Sequence, residues 1–320
     1  MKNKNGVMSV KAIIEKITEQ IQEGIYPGAS LALYRNGQWS EHYLGLADPE
    51  KGEPVEADLV YDLASVSKVV GVATICAFLY TKGELALDRP FKEFYPRFAH
   101  EKTTIRELLT HTSGLDPFIP NRDQLDARQL KTALENLQLK EDKSFHYTDV
   151  NFLLLGFWLE DRFHQPLDRL FEELIFTPWK MTETRFGPVE KAVPTVRGVA
   201  SGSVHDPKAR VLGCHAGSAG LFSTVADLER FLEHYLKDDF ARDLSQNFAR
   251  EEGKTRALGW NLEGDWLDHT GYTGTFIMYN RKRQEAVIFL SNRTYEKDER
   301  AQWILDRNSL MDLIKQEFEK

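Results

Sequence analysis

The sequence contains little cysteine and no recognisable metal-binding motif. Its two cysteines, Cys76 and Cys214, are widely separated and form no Cys-x-x-Cys pair. This spacing favours two unrelated reduced thiols over a disulfide framework or a zinc site. The nine histidines include no His-Glu-x-x-His motif. We therefore expect no metal and no organic cofactor.

Positive charge is also in short supply. The formal net charge is −8, which provides no basic surface for nucleic acid or for an anionic membrane. The first residues have a basic start, but they lack the apolar core and cleavage site of a signal peptide. Lys82 and Glu84 end the apolar run that follows Lys68, so we expect no segment of about 18 apolar residues that spans a bilayer. These features predict a cytoplasmic protein that acts on a small molecule, and they leave its oligomeric state open.

Strand patterns occur only near the two ends of the chain. A β-hairpin is predicted over 28–47 with Asn36-Gly37 as its turn, and further strands are predicted over 273–280 and 285–292. The predicted helices cover about 9–23, 66–82, a short stretch from Thr104 whose Glu107 completes a capping box, 149–161, 166–175, 224–236 and 299–318.

This distribution indicates an α+β fold. The N- and C-terminal strands are expected to share one antiparallel sheet that is flanked by helices, with an inserted, mostly helical subdomain. We expect a single catalytic domain over residues 1–320, with an α/β part at about 1–60 and 255–320 and a mostly helical part at about 61–254. A cleft between the two parts is the expected ligand site.

The stretch Ser65-Val66-Ser67-Lys68 places a lysine at the head of an almost wholly apolar helix. A lysine in the first turn meets the positive end of the helix dipole, and an apolar run on all sides indicates burial, which lowers the pKa of a lysine. On a helix Lys68 shares a face with Ser65, so it can accept the Ser65 proton or stabilise the alkoxide. The alternative is a serine cap followed by a solvent-facing lysine.

Tyr147-Thr148-Asp149 comes directly before another apolar helix. One interpretation is structural, with Asp149 as a helix cap and Tyr147 as a packing aromatic. The other is catalytic: a nearby ammonium group lowers the pKa of a phenol, so Tyr147 could act as a general base. It would then pass the proton of Ser65 to a leaving group.

His269-Thr270-Gly271 precedes Tyr272 and a predicted strand. Small residues at the rim of a strand let a substrate lie close to the backbone, and a free N–H there can form half of an oxyanion hole. The alternative is a hairpin loop that carries a surface histidine.

The order Ser-x-x-Lys, Tyr-x-Asp, His-Thr-Gly resembles the serine β-lactamase and penicillin-binding-protein family, in which Ser-x-x-Lys and Lys-Thr-Gly are signatures. Class C β-lactamases and the related esterases and D-amino-acid peptidases are the most similar branch. The resemblance implies the β-lactamase/transpeptidase-like α+β fold. It extends over nearly the whole chain, through segments at 105–115, 147–156, 217–228, 269–275 and 288–293.

The resemblance implies a role for each motif. Ser65 would be the acylated nucleophile and Lys68 its proton acceptor or electrostatic partner. Tyr147 would be the base, and the backbone N–H groups of Ser65 and Tyr272 would form the oxyanion hole. The substrate-binding residues that it implies are Asp149, His269, Thr270 and Gly271.

Two motif positions depart from the family pattern. Asp149 stands where the family has Asn, and an ionised carboxylate can only accept hydrogen bonds. His269 stands where the family has Lys, and a histidine is mostly neutral at pH 7. Both changes favour an esterase or D-amino-acid peptidase, acting through an acyl-enzyme on a small ester or amide, over an efficient β-lactamase or wall carboxypeptidase.

Three alternatives stay open at this point. The first is a class C-like β-lactamase or penicillin-binding protein that takes a β-lactam. The second is a sensor of the same fold, which would keep a stable adduct on Ser65 instead of hydrolysing it. The third is an α/β-hydrolase with Ser218 as nucleophile, but that motif needs a helix immediately after the serine. Because 221–223 delay the next helix, Ser223 or Thr224 is its expected cap. The stretch 216–220 is expected to border the cleft as a loop.

Overall fold

The computed structural model describes residues 10–250 and 253–320 of the chain. Its strands are β1 (Gly28–Arg35), β2 (Gln38–Asp48), β3 (Glu53–Pro54), β4 (Tyr61–Asp62), β5 (Arg185–Phe186), β6 (Leu221–Ser223), β7 (Asn261–Glu263), β8 (Trp266–Thr270), β9 (Phe276–Asn280) and β10 (Glu285–Ser291). Among these residues they form a seven-stranded sheet in the order β3-β2-β1-β10-β9-β8-β7 and a three-stranded sheet in the order β4-β6-β5. Every pair of neighbouring strands is antiparallel.

In chain order, most helices of the described residues lie between the N-terminal strands β1–β4 and the C-terminal strands β7–β10. They are α1 (Val10–Gln22), α2 (Thr74–Thr81), α3 (Phe91–Phe94), α4 (Ile105–Thr110), α5 (Ala127–Glu135), α6 (Val150–Phe163), α7 (Leu167–Phe171), α8 (Pro207–Leu212), α9 (Val225–Lys237) and α10 (Arg300–Glu319).

The large sheet separates two hydrophobic cores. One face packs against α1 and α10 through side chains such as Leu31 and Phe289, whose residues are paired across β1 and β10. The alternate residues, such as Ala32 and Ile288, pack against α9 and the helical part. Strands from both ends of the chain thus meet at the centre of one antiparallel sheet. The predicted α+β architecture is confirmed.

Local sequence signals position several elements as predicted. The two residues Asn36-Gly37 join β1 to β2. The Thr104 hydroxyl and the Glu107 carboxylate form the capping box of α4. The Thr224 hydroxyl caps α9 by accepting a hydrogen bond from a backbone N–H of its first turn.

The helix predicted at the Ser-x-x-Lys segment is not one regular α-helix. The chain forms a 3₁₀ turn at Ala64–Val66, a π-helical turn at Val69–Ala73 and then α2. Such π-helical turns are frequent at functional sites, and this one begins directly after Lys68. Gly71 within the turn packs closely against the ring of Phe171. A Cβ at position 71 would lie 2.3 Å from that ring.

The short elements were not predicted from the sequence. They include α5, α8, β7 and the small sheet that pairs Tyr61 with Ser223. Two or three strand residues are too few for a periodic pattern to show. The segment leading into Ser65 is therefore anchored by strand pairing that the sequence pattern did not reveal.

One helical stretch, Ala64–Thr81, is long and apolar enough to cross a membrane by length and composition alone. The expectation that no such segment exists was therefore wrong, because the stretch reaches 18 residues before Lys82. In the fold 78% of the stretch is buried. It packs in the core that lies between the sheet and the helical part.

Gly71→Ala tests the close packing beside Lys68. The added methyl group must displace the buried Phe171 ring, so we expect the variant to lose about 1–3 kcal/mol of unfolding free energy. Phe171→Leu makes room for the methyl group, so the double variant should lose less than the sum of the two single variants. Urea unfolding of the wild type and the three variants measures this coupling, and additive losses would contradict it.

Candidate active site

Lys68 is fully buried, and its ammonium group makes three hydrogen bonds. Nζ donates to the Ser65 hydroxyl oxygen at 2.9 Å, to an Asp149 carboxylate oxygen at 2.7 Å and to the Ser218 carbonyl oxygen at 2.9 Å. The buried charge is thus both paired and fully hydrogen-bonded. The alternative of a solvent-facing lysine is wrong, because the Lys68 side chain is 0% exposed.

Asp149 lies between two lysines. One carboxylate oxygen accepts from Lys68, and the other lies 3.3 Å from Nζ of Lys208. Asp149 occupies the N-cap position of α6, as the structural interpretation predicts, but its side chain makes no capping hydrogen bond. Its carboxylate instead pairs with two cations that come from different parts of the chain.

The ion pair sets the charge states of both partners. Burial disfavours the Asp149 carboxylate, but the two ammonium groups outweigh burial and hold the pKa of Asp149 below its usual range. Burial also disfavours the Lys68 ammonium, but the Asp149 carboxylate raises the pKa of Lys68 above its usual value. Burial acts on the pKa of Lys68 in the expected direction, but the net shift is upward, because the opposing charge comes from a residue 81 positions away.

The backbone that leads into Ser65 has an unusual conformation. Ala64 has a φ of 46°, which a residue with a side chain adopts only where its surroundings impose it. The buried Asp62 carboxylate accepts from the Ala64 N–H at 2.8 Å and from the His205 N–H at 2.8 Å. Burial raises the pKa of Asp62 to about 6. Asp62 therefore fixes the turn on which Ser65 stands.

The loop after β8 lies directly against the same segment. The Thr273 hydroxyl donates to the Asp62 carbonyl oxygen at 2.9 Å, and the Thr275 hydroxyl donates to the Leu63 carbonyl oxygen at 3.1 Å. A Cβ at Gly271 would lie 2.6 Å from the Leu63 carbonyl oxygen, so this approach requires a glycine. These contacts hold the His269-Thr270-Gly271 motif against the segment that leads into Ser65.

Ser65 and Tyr272 each have a backbone N–H with no acceptor in the part of the chain that the structure describes. Arg293 Nε donates to the Tyr272 carbonyl oxygen at 2.8 Å, which holds the loop from its other side. Unpartnered N–H groups on two adjoining segments can bind a developing oxyanion. The structure thus leaves free the two donors that the resemblance to the family implies.

Tyr147 is held between Lys68 and His111. Nζ of Lys68 lies 5.2 Å from the centre of the Tyr147 ring, and the centre of the His111 ring lies 4.6 Å from it. The His111 carbonyl accepts from the His146 N–H at 2.9 Å, and His111 Nδ1 accepts from the Thr148 N–H at 3.4 Å. His111 therefore holds the backbone on both sides of Tyr147. Tyr147 itself is 37% exposed.

His269 lies beside Tyr147, with 6.1 Å between the ring centres. The alternative of a surface histidine is wrong, because His269 is 2% exposed. Burial and the charges of Lys68 and Arg256 hold the pKa of His269 well below its usual value. The residue that stands in place of the family lysine is therefore neutral at pH 7.

Two cavities meet at Ser65, and Tyr147, Tyr272 and Arg300 also line both. The smaller cavity has a volume of about 210 Å³ and extends along α10. The larger cavity has a volume of about 460 Å³ and extends past Asp149. A substrate bound across Ser65 can therefore place the two sides of its scissile bond in different cavities.

The structure brings together all the residues that the motifs singled out. Those that line the two cavities are Ser65, Tyr147, Asp149, His269, Thr270, Gly271 and Tyr272. Sequence reasoning missed Lys208, for which the one available signal is the helix start Asp206-Pro207. Ser218 is 0% exposed, so it is not a nucleophile, and its stretch borders the site as a loop, as predicted.

The serine hydroxyl accepts a hydrogen bond from a buried ammonium group, and free backbone N–H donors and a tyrosine lie beside it. A hydroxyl in this setting can attack a carbonyl carbon. On an α+β scaffold with this strand order, such a site defines a serine hydrolase. The comparison with known proteins agrees: the family model described as Beta-lactamase matches residues 13–310. The chain belongs to the β-lactamase family.

Similar proteins have several names. A protein of Escherichia coli (strain K12) named "Putative D-alanyl-D-alanine carboxypeptidase" is 28% identical over 87% of this chain and 81% of its own length. A β-lactamase/D-alanine carboxypeptidase from Pseudomonas syringae superposes with a TM-score of 0.75 at 20% identity, covering 93% of this chain and 98% of its own. The hydrolase EstCE1, with promiscuous acyltransferase activity, superposes with a TM-score of 0.76 at 19% identity, covering 95% of this chain and 98% of its own. The two solved structures confirm the fold.

Asp149→Asn tests the ion pair that holds Lys68. The variant leaves a buried ammonium without its opposite charge, so we expect a loss of about 1.5–3 kcal/mol in unfolding free energy at pH 7. The folded-state pKa of Asp149 is depressed, so its stabilisation is complete above the unfolded value of about 4 and is lost as pH falls through the folded value. The difference between the wild type and the variant should therefore shrink at pH 3.

Denaturant unfolding at the two pH values measures this difference. Asp161→Asn is the matched control, because Asp161 pairs with Arg97 on the surface at 3.1 Å and should contribute less than about 1 kcal/mol. A loss in D149N no larger than in D161N, or one that does not change with pH, would refute the assigned role of the pair.

Proposed function

We propose that Ser65 forms an acyl-enzyme with a small ester or amide that carries a free carboxylate, as a D-amino-acid carboxypeptidase does. The observation that carries this proposal is the hydrogen-bonded chain from Ser65 through Lys68 to Asp149. The unpartnered N–H groups of Ser65 and Tyr272 support it.

In this mechanism Ser65 Oγ attacks the substrate carbonyl carbon while its proton passes to the Tyr147 oxygen, which accepts it as the phenolate. The carbonyl oxygen becomes an oxyanion and accepts hydrogen bonds from the N–H groups of Ser65 and Tyr272. The bond from the carbonyl carbon to the leaving group breaks, and Tyr147 returns the proton to that group. Water then attacks the acyl carbon and loses a proton to Tyr147. The bond from that carbon to Ser65 Oγ breaks, Tyr147 passes the proton to Oγ, and the acid is released.

Lys68 acts as a fixed cation in this proposal. Its raised pKa keeps the ammonium protonated at neutral pH, so it is poorly suited to take the Ser65 proton. A positive charge 2.9 Å from Oγ stabilises the serine alkoxide. We therefore assign the transfer of the proton to Tyr147 and the stabilisation of charge to Lys68.

The smaller cavity supports a substrate with a carboxylate. The described residues that line it include no Asp or Glu, and its cations are Lys254, Arg293, Arg300 and Arg307. These side chains supply the positive charge that the neutral His269 lacks. The departure at position 269 therefore does not count against a carboxypeptidase, and the name of the Escherichia coli relative supports the same class.

Asp149 favours simple esters as a second class of substrate. Both of its carboxylate oxygens face lysines, so position 149 offers no amide N–H to the acyl side of a substrate. We therefore propose that ester hydrolysis accompanies peptidase activity and that β-lactam hydrolysis is weak or absent.

Ser65→Ala tests the acyl-enzyme. We expect the intact mass of the wild type to rise by the acyl group on mixing with a short-chain p-nitrophenyl ester and then to return as product accumulates. A D-alanyl-D-alanine peptide should release D-alanine, and the variant should form neither adduct nor product. Ser67→Ala is the matched control, because the Ser67 hydroxyl accepts only a structural hydrogen bond from the Leu221 N–H at 3.1 Å.

The same time course with a penicillin separates the alternatives. A persistent penicillin adduct alongside rapid ester turnover is the result that we expect. Rapid penicillin turnover would indicate a true β-lactamase, and stable adducts with every compound would indicate a sensor. Activity that survives in S65A would overturn the mechanism.

Tyr147→Phe tests the proton transfer. The ring and its packing against His111 remain, but the oxygen is lost, so we expect kcat/KM for the ester to fall by about 10²–10⁴. Tyr80→Phe is the control, because Tyr80 packs edge-on against Phe248 outside both cavities. Steady-state ester hydrolysis measures the effect, and similar rates for Y147F and Y80F would exclude Tyr147 as the base.

A further inference from the structure

We propose that the preferred leaving group carries a second acidic group in addition to its α-carboxylate. A C-terminal D-glutamate or a phosphorylated D-residue has this chemistry, whereas D-alanine does not. The inference rests on the proposed carboxypeptidase activity and concerns the part of the substrate that occupies the smaller cavity.

The smaller cavity has more positive charge than one carboxylate neutralises. Of its cations, Arg293 pairs with Asp298. Arg300 and Arg307 form no ion pair with any carboxylate of residues 10–250 and 253–320. Arg307 donates instead to the neutral side-chain amide of Asn308, at 3.0 and 3.3 Å. Two guanidinium groups on one face of α10 therefore remain available to bind an anion.

Arg293, Arg300 and Arg307 together form one wall of the smaller cavity, to which Arg293 adds a third guanidinium group. Its side chain is 2% exposed, and its Nη2 has no hydrogen-bond partner in the described part of the chain. An unpartnered nitrogen on a buried guanidinium is unfavourable unless an acceptor is supplied. Because Arg293 lines the smaller cavity, a bound anion is a natural source of that acceptor.

The carboxylates near this wall are already engaged. Asp298 accepts from both Arg293 and the Tyr272 hydroxyl. The buried Asp268 accepts from Asn261 at 2.7 Å and does not line the cavity. Burial lowers the pKa of Arg307 below its usual value, and the neighbouring arginines add to the effect despite the attraction of Asp268.

The residues that line the cavity suit two anions joined by a short apolar chain. One carboxylate presents two oxygens and satisfies one guanidinium fork in bidentate geometry, so a second acidic group is needed for the second fork. Trp303 and Ile304 line the cavity between Arg300 and Arg307 in the sequence of α10. The methylene groups of a D-glutamate side chain would pack against this apolar strip.

The reaction needs no additional reactant. The amide bond to the D-residue breaks as the Ser65 Oγ–carbon bond forms, and the amine leaves with the proton held by Tyr147. Water then supplies the hydroxyl of the released acid and returns a proton to Ser65. The second acidic group takes no part in these steps and contributes only binding.

The test compares leaving groups of equal shape and different charge. We would measure kcat/KM for acetyl-D-alanyl-D-glutamate and acetyl-D-alanyl-D-glutamine, with the O-phospho-D-serine dipeptide as the phosphate arm. We expect the D-glutamate substrate to be preferred over D-glutamine by about tenfold or more. The ratio should approach one in Arg307→Gln and in the more exposed Arg300→Gln. Arg128→Gln, on α5 and outside both cavities, is the control for loss of one positive charge.

Calorimetric titration of the S65A protein with free D-glutamate, D-glutamine and O-phospho-D-serine measures binding without turnover. Tighter binding of D-glutamate or of O-phospho-D-serine than of D-glutamine supports the inference, and the tighter of the two identifies the second acidic group. Equal affinities, or a D-glutamate to D-glutamine ratio that R307Q and R300Q leave unchanged, would overturn it even if Ser65-dependent hydrolysis is intact. Absence of Ser65-dependent hydrolysis with every substrate would overturn the proposed function instead, and the titration would still decide the charge of the ligand.

Discussion

The ion pair between Lys68 and Asp149 is the interaction on which the rest of the site depends. An ammonium group stays charged inside an apolar core only where an opposite charge and hydrogen-bond acceptors surround it. Asp149 supplies the charge, and the Ser65 hydroxyl and Ser218 carbonyl supply the remaining acceptors. Three separate segments of the chain therefore meet at one nitrogen atom, and the serine is fixed at that point.

The identity of residue 149 has consequences for the whole cleft. A carboxylate at this position keeps Lys68 cationic and also pairs with Lys208, so neither of its oxygens can donate to a substrate. At the opposite side, His269 is neutral, and positive charge comes from arginines of α10. Compared with the pattern that the family motifs imply, the charged groups around Ser65 are contributed by different residues.

Much of the fold follows from signals that act over a few residues. The Asn36-Gly37 turn and the caps at Thr104 and Thr224 lie where the sequence predicts them, because each depends on side chains and backbone groups within one turn. The π-helical turn after Lys68 could not be predicted in this way. It accompanies close packing of Gly71 against Phe171, which is a hundred residues away in the chain.

The sequence by itself determined which residues could carry the chemistry. Ser65, Lys68, Tyr147 and His269-Thr270-Gly271 belong to short motifs in the sequence. In the structure all of them except Lys68 line the two cavities, and Lys68 donates a hydrogen bond to Ser65. Only the tertiary structure decided their charges. Lys68 is cationic because Asp149 lies 2.7 Å from its Nζ, and His269 is neutral because it is buried beside Lys68 and Arg256. A motif records identity and spacing, whereas a pKa depends on burial and on charged groups that arrive from elsewhere in the chain.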